Sequence, residues 1–322
     1  MDVHTTQAPP TAFRVGELRR DGLSRRRIDD PGWERPFAGL RAVADRVDHD
    51  EHPRDLARRR LRRAARHFAA HMHTGEFFSH QTAAVLWGLP GLAPDDLDVS
   101  VLAPARAPRG RGVRGHQLSP KQVGTTVTPD GGLRITTPAS TWAQLGGLVR
   151  HPYDLTAIAD AIIRIPRMPG PWGVPPGDAL ATRADLAVEL ERGRRIGINA
   201  LRGALARCRQ GASSSPETWT RLTIVDAGLP EPELDHDVYD ETGRFVGCVD
   251  LAYPERWIAI EYEGDHHRTD PAQWNRDIAK YDRLAELGWR VIRVTRAMLF
   301  TAPGELTARV RSALRSRPLR PL

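Results

Sequence analysis

The chain holds little cysteine, few aromatic residues and no long apolar run, and each shortage removes a class of protein. Two cysteines, Cys208 and Cys248, are too few for a disulfide scaffold, and no CxxC spacing suggests a redox motif. A reducing, cytoplasmic setting fits that usage. No apolar stretch approaches the ~18 residues of a membrane span. The opening MDVHTTQAPP has no basic start followed by an apolar core, so it does not read as a secretory signal. His71 and His73 have no further ligand set beside them, which argues against zinc. Walker-type loops, GxGxxG turns and GxSxG elbows do not occur, which sets aside the nucleotide-binding and serine-hydrolase motifs they carry. Internal repeats do not occur either, and lysine is scarce beside arginine.

What is present is a chain of 322 residues, 40% hydrophobic and 27% charged, long enough for two or three domains and a sizeable core. Its net charge of +7 and pI near 10 favour a polyanionic partner. Residues 1–75 read as a polar, basic region with short helices, including a helix over Asp55–Ala70. Leu61, Ala64, Ala65, Phe68 and Ala69 fall on one face of that helix. Arg58, Arg59, Arg62 and Arg63, with Arg66, fill most of the rest. They form either a solvated basic face or a phosphate-contacting one. Residues 76–210 mix helices with a small sheet, and a Pro/Gly-rich linker lies near 166–177. Gly211–Ser215 is the domain boundary expected before a last region, 213–322. There Ser215-Pro216-Glu217 starts a helix that stops at Gly228. Strands at Leu234–Val238, Phe245–Leu251 and Trp257–Glu263 follow, then a helix over Pro271–Leu287. A strand at Trp289–Thr295 and a helix from Pro303 complete an α/β order.

Chemistry concentrates in the hairpin from Val246 to Glu263, whose turn is Pro254-Glu255-Arg256. Asp250 rises from one apolar strand, Glu261 and Glu263 from the next. A buried carboxylate is costly unless a cation or hydrogen bonds meet it. Glu261 and Glu263 share strand parity and therefore a face, where like charges repel. Acids so placed on a basic chain suggest a divalent-metal site acting on phosphates. Structural alternatives exist for each. Asp250 could cap a turn or pair with Arg256, and Lys280 or Arg293 could simply neutralise Glu261 and Glu263. Glu217 lies four residues before Arg221, the spacing of a surface ion pair. Asp277 and Lys280 are three apart, again salt-bridge spacing. His266 and His267 are either exposed or part of the site as acid, base or phosphate contact.

Helix, three strands, helix and strand resembles the core of PD-(D/E)XK phosphodiesterases. More closely, residues 213–300 resemble the very-short-patch-repair-like endonuclease domains of actinobacteria. The likeness rests on SPE (Ser215–Glu217), GLPEP (Gly228–Pro232), VDLAYPE (Val249–Glu255), IEYEGDHH (Ile260–His267) and WNRDIAKYDRLAELGWRVIRVT (Trp274–Thr295). It covers just over a quarter of the chain. The resemblance implies Asp250 and Glu261, with Glu217 as a further acid, as ligands of Mg²⁺ or Mn²⁺; Glu263 could orient or deprotonate the attacking water or bind a second metal. Glu263 stands where the family usually has lysine, and Lys280 on the next helix is the residue that could return that charge. Very-short-patch-repair enzymes proper carry a structural zinc, and this chain lacks the cysteines for it. Residues 76–150 are similar to the second domain of AbiEi-type antitoxins, through SHQTAAVLWGLP (Ser79–Pro90), a basic loop and ITTPASTWAQL (Ile135–Leu145). That likeness implies a winged helix within residues 1–75.

Together these readings lead us to expect a cytoplasmic, metal-dependent DNA endonuclease whose N-terminal region binds DNA or a partner. RNA or branched DNA stay open as substrates. The competing expectation is a non-catalytic DNA-binding regulator of antitoxin type, built on a retired nuclease scaffold.

Overall fold

The computed structural model describes residues 12–44, 52–91, 93–172, 177–264 and 271–319, with backbone alone for 271–275. His266 and His267 lie outside the described residues. The chain divides into two compact units, 1–148 with 184–201, and 149–183 with 202–322. Residues 149–183 therefore pack with residues 202–322, although the sequence pattern groups them with the middle of the chain.

The first unit opens with a feature the composition concealed. Strands Ala12–Arg14, Leu40–Val43 and Trp33–Glu34 form an antiparallel sheet with Leu40–Val43 at its centre. Helices Val15–Arg20 and Arg25–Ile28 lie between the first strand and the other two. Residues 21–24 join the helices, with Gly22 at φ +87° and Ser24 capping the second helix through Arg27 N–H. Two short helices, of six and four residues, are thus joined by a tight turn and carried on a small sheet. Its strands of two to four residues are too short to show a periodicity. The helix Pro53–Ala69 buries Leu61, Ala65 and Phe68, the face expected from its spacing. It packs on a five-stranded mixed sheet containing Phe77–Phe78, Leu97–Leu102 and Arg134–Thr136.

The second unit is built on one four-stranded sheet. Its elements are α1 (Pro152–Ile163), α2 (Ser215–Asp226), β1 (Glu233–Tyr239), β2 (Phe245–Tyr253), β3 (Ile258–Glu263), α3 (Pro271–Glu286), β4 (Arg290–Thr295), α4 (Arg296–Phe300) and α5 (Pro303–Ser316). The strand order is β4-β3-β2-β1. β1/β2 and β2/β3 pair antiparallel, while β3/β4 pair parallel across the α3 crossover. One face packs Leu251, Tyr253, Ile258 and Ile260 against Ile224 of α2, Leu299 of α4 and Val310 of α5. The other packs Ala252, Ala259 and Val291 against Tyr281 and Leu284 of α3. β3 is thus buried on both faces, as its apolar run indicates. Trp257, expected to begin that strand, instead closes the preceding turn at φ +54°. Proline and glycine punctuate α2 as the sequence indicates: Pro216 enters its first turn and Gly228, at φ +72°, follows its end.

Between α1 and β1, the Pro/Gly-rich stretch is more than a spacer. Arg167 binds Asp235 and Asp237 of β1 and reaches Cys248 Sγ at 3.3 Å. A buried network ties α1 to α2: Asp160 accepts from Thr218 Oγ1 at 2.8 Å and from Arg221 at 3.2 Å. Asp160 and Arg221 are each only 1% exposed. Burial raises the Asp160 carboxyl, against the pull of Arg221 and its hydrogen-bond donors.

Candidate active site

The acids meet where β2 and β3 lie side by side. Leu251 pairs with Ile260, so one step further along the register Asp250 falls opposite Glu261. Asp250 Oδ2 accepts the Tyr262 N–H at 2.8 Å, which holds that carboxylate across the strand gap. Arg256, a candidate partner for Asp250, turns away and donates to the carbonyls of Leu314 and Arg317.

Glu261 is 5% exposed. Its two oxygens accept from Lys280 Nζ at 2.8 and 2.9 Å, and Nζ also reaches the Cys248 carbonyl at 3.2 Å. The stem of Lys280 lies over Gly247, where a Cβ would come within 2.7–2.8 Å of Lys280 Cδ and Cγ. Gly247 therefore makes the channel through which the ammonium reaches Glu261. Gly247→Ala is expected to push Lys280 out of line, lowering the melting temperature and, if the site is catalytic, the turnover. Thermal unfolding of the variant beside wild type reads the first effect.

Glu263, two residues on, has a different environment. Arg293 Nε binds it at 2.5 Å and Tyr281 Oη donates at 3.1 Å. The Arg293 charge also lies 5.1 Å from the Tyr281 ring centroid. Burial, with Glu261 and Glu263 nearby, pushes the Tyr281 hydroxyl far up, so it remains a donor.

Glu217, in the first turn of α2, is 7% exposed. Its Oε2 accepts the Ser213 N–H at 2.6 Å. The Arg221 pairing suggested by their spacing is replaced by the Asp160 network, since Arg221 binds Asp160 and Glu231. Burial and the neighbouring Asp250 charge push Glu217 up to about 8. Burial and the same Asp250 push Glu261 up to about 7, against the pull of Lys280. Asp250 is therefore the charge that both buried glutamates feel. Among the described residues, no three His, Cys, Asp or Glu side chains are gathered closely enough to hold a metal ion as they stand.

A second row of acids borders the first. Val249 pairs with His236 and Leu251 with Leu234, which sets Asp235 opposite Asp250. Asp235 adopts φ +55°, a left-handed backbone unusual for a non-glycine residue and common beside functional sites. Cys248 donates to its carboxylate at 3.1 Å. Sequence reasoning singled out neither Asp235, Asp237 nor Arg167. The alternating Asp-His-Asp of β1 was the available signal. For Lys280 the signal was stronger: of 47 cationic residues only Lys121 and Lys280 are lysines. A chain that otherwise uses arginine keeps a compact ammonium at the one place where Gly247 leaves a narrow path.

Several arginines of helix Pro53–Ala69 are engaged within the fold. Arg58 donates to the carbonyls of Leu89 and Gly91, and Arg62 to that of Val85. Arg63 binds Glu34 and the Val43 carbonyl. Arg59 lines a pocket with Glu34, Arg60 and Arg63. Arg54, Arg60 and Arg66 of the same helix are exposed, as are Arg25, Arg26 and Arg27 on the short helix Arg25–Ile28.

Fold and site together define a mixed α/β protein with a buried, mutually repelling carboxylate centre served by one lysine. No family model matches the chain. Two Mycobacterium tuberculosis proteins, uncharacterized protein Rv2248 and, from a second strain, uncharacterized protein MT2308, are each 31% identical to it over 230 residues. The match covers 71% of this chain and 78% of theirs. The chain belongs to the family of these mycobacterial proteins. No helix among the described residues is long and apolar enough to cross a membrane.

Proposed function

We propose that the second unit is the catalytic domain of a metal-dependent DNA endonuclease with a PD-(D/E)XK core. The observation that carries this reading is the convergence of Glu217 and Glu261, both buried and both pushed up in pKa, on Asp250, with Lys280 at Glu261. The order α2-β1-β2-β3-α3-β4 supports it.

The donor set suits a hard cation. Magnesium is commonly held by only one or two carboxylates, with water completing its shell, so Asp250 and Glu261 suffice and Glu217 adds charge. Bound there, the ion would acidify water and neutralise charge on the phosphate. The protein's own groups do the rest. Asp250, tied to Tyr262 N–H, presents a fixed oxygen. Lys280 supplies the positive charge and donor that a carboxylate at position 263 cannot, while Arg293 and Tyr281 engage Glu263 itself. In the first unit, the two short helices, read as a helix-turn-helix, would offer Arg25, Arg26 and Arg27 to DNA, in keeping with a net charge of +7.

A non-catalytic DNA-binding regulator is the second reading. The ion pairs Lys280–Glu261 and Arg293–Glu263 favour it, since they neutralise two of the acids without metal. The two readings differ in how stability responds to pH and metal. Glu217 and Glu261 have folded pKa values above their ordinary 4.5. Their contribution is complete below that value and is lost as pH rises through about 7 to 8. Metal-free protein is thus expected to melt lower at pH 8 than at pH 6. Mn²⁺ binds the ionised carboxylates, so its stabilising effect should be larger at pH 8. Thermal unfolding at both pH values, with Mn²⁺ and with chelator, decides. No Mn²⁺-dependent rise at either pH sinks the nuclease reading and favours the regulator.

A further inference from the structure

The nuclease-like pattern begins at residue 213, yet the carboxylate centre receives a cation from well upstream. Arg164 follows the last residue of α1 and lies half-buried. Its position is fixed on both sides. One turn earlier, Asp160 is held by Thr218 Oγ1 at 2.8 Å and by the Arg209 N–H at 2.7 Å. At the adjoining residue, the Ile163 carbonyl accepts from Gln210 Nε2 at 3.2 Å. Three residues later, Arg167 is locked to Asp235 and Asp237 on β1, the strand whose Asp235 faces Asp250. Thr218 is the residue next to Glu217. The end of α1 therefore runs from the first turn of α2 to the acid-bearing edge of β1, with Arg164 in between.

Within that span Arg164 differs from its neighbours. Arg167, Arg207, Arg209 and Arg221 all make ion pairs. Arg164 makes no hydrogen bond and no ion pair among the described residues, although Glu217 feels its charge. Glu217 takes its own hydrogen bond from Ser213 N–H instead. A guanidinium presents five donors in a planar fork that matches phosphate. Here the fork is carried on backbone pinned to α2 and β1, the elements that bear Glu217 and Asp235, with its donors unspent.

We propose that Arg164 is a substrate-binding residue that receives a phosphate of the nucleic-acid backbone next to the carboxylate centre. The identity of the anion rests on the nuclease reading, whereas the position of the cation does not. On this account α1 and the stretch after it belong to the active site, and the catalytic domain begins near residue 149. The competing role is structural, with Arg164 serving only as a counter-charge for Glu217.

Fluorescence anisotropy of a labelled duplex in chelator separates these roles, because binding is read without turnover. Arg164→Gln is expected to weaken binding about tenfold, the worth of one charge-assisted hydrogen bond. The slope of log affinity against log salt should fall by about 0.9, the release of one counterion. Arg164→Lys should keep most of the slope and recover part of the affinity. Unchanged affinity and slope in Arg164→Gln, with only a lower melting temperature, would overturn the proposal in favour of the structural role. If wild type binds but never nicks DNA while Arg164→Gln still loses slope, the phosphate contact stands and the nuclease reading fails. If wild type nicks and Arg164→Gln binds like it, the nuclease stands and the contact fails.

Discussion

Asp250→Asn is expected to abolish cleavage while leaving the metal-free protein more stable than wild type. The two effects come from one charge. Asparagine keeps an oxygen to accept the Tyr262 N–H, so the hydrogen bond that places residue 250 survives. What is lost is the anion that Glu217 and Glu261 both feel. Without it their repulsion falls, and both ionise more easily in the folded state. A gain of about 1 kcal/mol corresponds to a melting temperature higher by roughly 2–4 °C for a protein of this size. The same substitution removes a metal ligand, and several kcal/mol of lost transition-state stabilisation is about a thousandfold in rate. Nicking rate and thermal unfolding in chelator at pH 8 are the measurements. A variant that cuts normally, or that melts several degrees lower, contradicts this account of Asp250. Stability bought by removing function is the pattern expected of an active site rather than a structural ion pair.

Lys280→Met should do the opposite to stability. Glu261 is nearly inaccessible, and Lys280 Nζ is the cation that meets both its oxygens. Removing one member of a buried pair costs about 3–5 kcal/mol when the other stays charged. Glu261 has an escape, because it can take up a proton. Its pKa already stands at about 7 and rises further once the pull of Lys280 is gone. The loss should therefore be small at pH 5.5 and large at pH 8, since stability falls as pH rises through a raised carboxyl pKa. At pH 8 the melting temperature should drop by roughly 10 °C. Cleavage should fall about a hundredfold at any pH, as expected for loss of one preorganised donor. Lys280→Arg is not expected to rescue it, because the side chain must pass Gly247 in a gap that already touches the lysine stem. A pH-independent stability loss would show that Lys280 serves packing rather than the charge on Glu261.

Much of the second unit was readable before folding. Its strands alternate or run apolar over six to nine residues, and Pro216, Gly228 and Gly288 mark helix starts and stops. The hairpin carries Asp250 and Glu261 close in sequence, so their juxtaposition follows from a short turn and strand parity. Lys280 was visible as a candidate with two possible partners, Asp277 by helix spacing and the Glu261/Glu263 pair by charge; the crossover brings it to Glu261, 19 residues away. Arg164 and Arg167 were hidden for a similar reason. Arg164 lies at the end of a helix and Arg167 in a Pro/Gly-rich stretch that looks like a linker, and Arg167 contacts residues 68 to 81 positions later. The small sheet of the first unit escaped because strands of two to four residues carry no period to read. On the basic helix, Arg58 and Arg62 look free in the sequence because their acceptors, the Leu89 and Val85 carbonyls, lie 31 and 23 residues away.

Incubation of the purified protein with supercoiled plasmid, in Mg²⁺, in Mn²⁺ and in chelator, beside Asp250→Ala, tests the central claim most directly. The account predicts nicking by wild type in metal only, with none by Asp250→Ala although that variant still shifts the plasmid on a gel. Retarded but uncut plasmid in both metals, or equal cutting by wild type and Asp250→Ala, would contradict it.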